Sequence, residues 1–153
     1  MIELQRVELQ GARAAGCCFH VLQQRDNRQP LFGELVDYVR YLDYLQDALL
    51  RYGVFCHAYV LLSDQVQLLL SCDCREGVVR VMAAVADRHC WSNEFDATLR
   101  HFVHRIRNDR HLHAARHYIE CKPVRSGLVP HPQAYYWSSY AHRALAVSVS
   151  TNS

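Results

Sequence analysis

No stretch of this sequence approaches the ~20 consecutive apolar residues that a membrane-spanning helix needs, which excludes a helical membrane protein. The first residues, MIELQRVELQ, lack the charged start and apolar centre of a secretory leader. An even cysteine count is missing too: there are seven, and neither Cys17-Cys18 nor Cys72-Asp73-Cys74 has the spacing of a zinc site. Reduced thiols in a cytoplasmic protein fit best, most of them acting as small core residues. No charge of one sign dominates, since 17 Lys and Arg stand against 15 Asp and Glu, for a formal net charge of +2. No repeat and no low-complexity linker divides the 153 residues. That length suits a single domain, 1–153, with a core over about 12–142 and a flexible tail at 143–153.

Half of the residues are hydrophobic and 21% are charged, ordinary values for a globular protein. The charge is uneven, however. Arg100, Arg105, Arg107, Arg110, Arg116, Lys122 and Arg125 fall within 26 residues, opposed there only by Asp109 and Glu120. The same stretch holds His101, His104, His111, His113 and His117. A local basic face can hold phosphates on a nearly neutral chain; a simply solvated face is the competing reading. His113 and His117 share one helix face, but no third ligand for a metal stands out beside them.

Residues 15–24 read as a strand, and 31–52 as a helix with Leu35, Val39, Leu42, Leu45 and Leu49 at helical spacing. Gly53 stops that helix. Residues 54–62 and 65–71 are two strands joined at Ser63-Asp64. A second helix covers 74–90, with Val78, Val81, Met82 and Val85 on one stripe. Residues 98–107 alternate as a fourth strand, and 109–121 form a third helix closed by Pro123. The order βαββαβ followed by a helix predicts an α+β, ferredoxin-like sandwich with a four-stranded antiparallel sheet. The central hairpin would fill the middle of that sheet. One feature resists this scheme: Gln65 and Gln67 interrupt an apolar strand, and residues i and i+2 project from the same face. They face either the open side of the sheet or its core.

Four segments together carry a resemblance. FHVLQQRDNRQPLF, YGVFCHAYVLLSDQVQLLL, RHLHAARHYIECKPVRSGLV and YYWSSY, in this order, resemble the REP-associated tyrosine transposases, single-strand transposases of the insertion-sequence-200 type. Between Arg88 and Arg100 the chain is shorter than the family pattern. The resemblance implies DNA transposition by a tyrosine nucleophile. It also implies a divalent cation such as Mg²⁺ or Mn²⁺, held by a His-hydrophobic-His pair on the central strand and by an Asn or Gln four residues after the tyrosine. Such a cation neutralises charge on a phosphodiester and orients it for attack.

By that resemblance the nucleophile position is Tyr118, while the three ligand positions are Gln65, Gln67 and Lys122. An amide oxygen is a weak neutral ligand and an ammonium repels a cation, so the expectation is a lost metal site and no cofactor. Lys122 could instead pair with a phosphate directly. Nucleic-acid contacts carry over to His20, Arg25, Asn27, Arg100, Arg116 and Arg125. Arg125 could equally cap the third helix. Tyr135, Tyr136, Trp137 and Tyr140 could stack unpaired bases or pin the tail to the core, the latter favoured for Trp137. The expected partner is hairpin or single-stranded DNA, with RNA open; no membrane is implied, and monomer or homodimer is undecided. The leading reading is a transposase-like binding protein without strand cleavage. An active transposase working through Tyr118 is the alternative, and a protein-interaction module a third.

Overall fold

The computed structural model describes residues 16–26, 29–89 and 99–143. Strand β1 (Cys17–Arg25) leads to helix α1 (Leu35–Tyr52), the hairpin β2 (Phe55–Leu61) and β3 (Gln65–Cys72), helix α2 (Arg75–Arg88), strand β4 (Leu99–Ile106), helix α3 (Asp109–Glu120) and the single turn α4 (Lys122–Arg125). The four strands form one sheet in the order β2-β3-β1-β4, and every pair is antiparallel. This is the predicted α+β sandwich, with β3 and its glutamines in the interior of the sheet, but the hairpin does not fill the middle as expected: β1 pairs with both β3 and β4, so β1 and β3 are central and β2 lies at an edge. The predicted tail 143–153 lies outside the described residues except for Arg143, as do residues 12–15 and the segment 90–98 where the chain is shorter than the family pattern. Among the described residues no helix is long and apolar enough to cross a membrane.

Alternation along the strands builds two cores. Phe19, Val21, Val66, Leu68 and Leu70 point to one face and meet Leu42, Leu45 and Leu49 of α1 and Val78, Val81, Met82 and Val85 of α2. Cys18, Ala58, Val60, Leu69 and Ile106 point to the other face and meet Leu112, Ala115 and Ile119 of α3. The predicted stripe of α2 is therefore the buried one. That of α1 is only half right: Leu35 and Val39 are 72% and 40% exposed, while Tyr41 and Ala48 join Leu42, Leu45 and Leu49 inside. The Tyr41 hydroxyl donates to the buried Gln23 Oε1 at 2.6 Å, and satisfying that pair fixes the rotation of the helix.

Two boundaries also differ. Residues 31–34 are not helical, because the Leu31 N–H is taken by the Ser63 carbonyl at 2.7 Å and Asp37 Oδ2 accepts the N–H groups of Gly33 and Glu34. Pro123 does not simply close α3. That helix ends at Glu120, and Pro123 stands in the first turn of α4, a position where its missing N–H costs nothing. Gly53 ends α1 as predicted, in the left-handed conformation at φ 66°. Of the six described cysteines, all free thiols, only Cys18, Cys56 and Cys72 are buried; Cys90 lies outside the described residues. The core role expected of most cysteines thus holds for half of those described.

The outer edge of β2 is sealed by the aromatic tail. The Leu61 N–H donates to the Trp137 carbonyl at 2.9 Å, Val60 bridges Ser138, and the Tyr135 hydroxyl donates to the Leu61 carbonyl at 2.6 Å. Trp137 stacks on Tyr38 with centroids 5.0 Å apart. Tyr135 and Trp137 pin the tail, the role the sequence suggested for Trp137.

Candidate nucleic-acid interface

Strand parity sends His20, Leu22, Gln67 and His104 to the α3 side of the sheet, together with the second core. Helix α3 starts at Asn108, whose Oδ1 accepts the His111 N–H at 2.8 Å. It packs over β2 and β3, leaving a cavity of about 430 Å³ beside β1 and β4. The cavity is lined by His20, Leu22, Gln67, His104, His111, Ala114, Ala115 and Tyr118. His20 and His104 are direct partners across the β1–β4 ladder.

The glutamine pair is answered by this geometry. Gln67, 4% exposed, donates its amide N–H to Gln65 Oε1 at 2.7 Å, and its own Oε1 lies 2.9 Å from His20 Nε2. Since the nitrogen of Gln67 is the donor to Gln65, its oxygen accepts from His20 Nε2–H, which sets the neutral tautomer of that ring. Burial lowers the His20 pKa, the Gln67 hydrogen bond opposing it and the neighbouring His104 and His111 adding to it. His111 in turn accepts the Arg107 N–H on Nδ1 at 3.2 Å. Tyr118 is 46% exposed; its ring meets His20 edge to face at 5.9 Å, and the Arg125 guanidinium lies 4.0 Å over it.

A divalent cation does not fit these residues. Amide oxygens are weak neutral ligands, each of these two already accepts one hydrogen bond, and His20 spends its Nε2 on Gln67. Lys122, at the start of α4, is not among the residues lining the cavity. Among the described residues no group of three His, Cys, Asp or Glu side chains is placed to hold a metal.

No protein-family model and no curated protein matches the chain. Solved structures do: the REP-associated tyrosine transposase bound to a REP hairpin superposes with a TM-score of 0.68 at 19% identity, over 95% of this chain and 86% of that one. The chain has the fold of a REP-associated tyrosine transposase. A candidate transposase from Deinococcus radiodurans is also similar, with a TM-score of 0.45 and 18% identity over 65% of this chain and 86% of that one.

On this REP-transposase fold the candidate phosphate contacts are largely engaged already. Arg25 donates to the Pro30 carbonyl, Arg100 pairs with Asp26 at 2.8 Å, and Arg116 lies 3.3 Å from the carboxylate of Glu120. Arg125 covers the Tyr118 ring instead of capping carbonyls. Asn27 lies outside the described residues. His101 turns to the opposite face, with Nε2 at 2.9 Å from the Gln23 amide nitrogen, and His113 and His117 do not line the cavity.

Two lining residues, Leu22 and Ala114, had no signal in the sequence beyond strand and helix parity. Glu120 had none at all. It is buried within hydrogen-bond reach of Arg116, Ser139 and both terminal nitrogens of Arg143, residues that only the fold brings together.

Proposed function

We propose that this protein binds hairpin or single-stranded DNA through the α3 face and does not cleave it. The observation that carries the reading is the closed chain His20–Gln67–Gln65 beside Tyr118. The nucleophile position of a transposase fold is kept, while the groups beside it are neutral amides that hydrogen-bond to each other and to His20, weak partners for a cation. The similar transposase is bound to a REP hairpin, and the basic residues of α3 and α4 supply the charge such a ligand needs. Without a metal, the charge that builds on a phosphodiester under attack would fall to the Arg125 guanidinium over the Tyr118 ring alone, with no Lewis acid to orient the phosphate.

The test is a labelled hairpin with single-stranded flanks, titrated at several salt concentrations and incubated with Mg²⁺ or Mn²⁺. Salt-dependent binding with uncut DNA is expected. A covalent adduct on Tyr118 would establish the active transposase instead. No affinity for DNA or RNA at low salt would leave a protein-interaction module. An RNA hairpin of the same sequence separates the two nucleic acids.

A further inference from the structure

We infer that the cavity between α3 and the β1–β4 half of the sheet receives a single unpaired nucleobase rather than a phosphate. This deepens the DNA-binding reading above and rests on it. Leu22, Ala114, Ala115 and the ring of Tyr118 supply apolar walls, and His20, Gln67, His104 and His111 supply polar edges. Neither lysine nor arginine lines it. A phosphodiester seated there would lose water without meeting a fixed cation, and burying an unpaired charge is costly. A base has the complementary character: two flat apolar faces and a rim of donors and acceptors.

Size agrees. The cavity's ~430 Å³ falls in the ~300–1,000 Å³ range of sites that enclose small ligands. Hydrogen-bonding capacity is left over as well. Gln67 uses one of two amide hydrogens and one of two oxygen lone pairs on its neighbours. His111 keeps Nε2 after Nδ1 is used. The His104 side chain makes no hydrogen bond to another described residue, so both of its ring nitrogens remain. The cation belongs outside the pocket: Arg125 lies over the Tyr118 ring, placed for the phosphate that follows a base stacked on the tyrosine.

The experiment uses the full chain and hairpins with single-stranded flanks, in two series. In one, 2-aminopurine replaces each unpaired base in turn; in the other, an abasic site does. One position is expected to change fluorescence on binding, and the abasic site there should weaken binding by roughly tenfold, with the other positions nearly neutral. Ala114→Leu, at an exposed position of α3, should fill the cavity and erase that preference while leaving salt-dependent affinity for the abasic hairpin in place. Tyr118→Phe should keep the preference and Tyr118→Ala should lose it. Intact binding with equal responses at every position, or an unchanged preference in a folded Ala114→Leu protein, overturns the base pocket alone. Failure to bind any oligonucleotide at low salt overturns the DNA-binding reading and the pocket with it.

Discussion

His57 is wholly buried at the bulge of β2. Its Nε2 reaches Ser71 Oγ at 2.6 Å and its Nδ1 has no partner. Burial pushes its pKa down to about 4. In the unfolded chain the ring takes its proton near pH 6.5, so below that pH the unfolded state binds more protons. Stability is therefore complete above pH 6.5 and falls towards pH 4, by about 3 kcal/mol from this ring. His20, His89 and His101 are shifted in the same direction, also chiefly by burial. Urea unfolding between pH 7.5 and 4.5 should show the loss, and His57→Gln should flatten it; an unchanged pH slope in that variant would acquit His57. Glu120→Ala removes the shared partner of Arg116 and Arg143, both partly exposed, and should cost about 1.5–3 kcal/mol in the same assay; no measurable loss would mean that solvent replaces Glu120 at both arginines. At the glutamines, Gln65→His, Gln67→His and Lys122→Asn together should restore saturable Mn²⁺ binding by calorimetry, with each single change doing little. No binding by a folded triple variant would mean that the three positions do not converge.

Among the elements, those with strong periodicity were legible. The β3 run and the α2 stripe follow from apolar spacing alone. Strand β4 was harder, because an edge strand exposes most of its residues and only Ile106 is fully buried; its ladder with β1 carries it. The α1 stripe misled because periodicity allows more than one apolar face, and the choice was made by a polar contact, Tyr41 with Gln23, that no helical pattern contains. The site was legible in part for the same reason. Tyr118, Gln67 and His20 could be named from the motifs, whereas the cavity depends on how far α3 shifts towards β2. The seal on β2 also belongs to this scale. Trp137→Ala removes the stack on Tyr38 and loosens the Leu61–Trp137 hydrogen bond. Amide exchange at Leu61, whose partner lies in the tail, should then accelerate more than at Leu68 in the sheet interior. Equal protection would mean that Tyr135 and the Ser138 bridge hold the tail unaided.

At the scale of the molecule a net charge of +2 offers little long-range steering, so affinity should depend on a few local cations. Arg125, which pairs with no carboxylate among the described residues, should contribute more than Arg116, which Glu120 already neutralises. Arg125→Ala is expected to lower the slope of log affinity against log salt by about one, and Arg116→Ala by less; the reverse order would place the DNA elsewhere on the basic stretch. The long chain separation across the β2 seal also bears on synthesis. A ribosome adding ~5–20 residues per second makes Leu61 roughly 4–15 seconds before Trp137. During that interval the outer backbone of β2 is open, on a strand buried at six of seven positions in the finished fold, the kind of edge that other chains join. Slow codons between residues 100 and 130 should prolong the exposure and raise the pelleted fraction from cell-free translation, while the same codons after residue 143 should not.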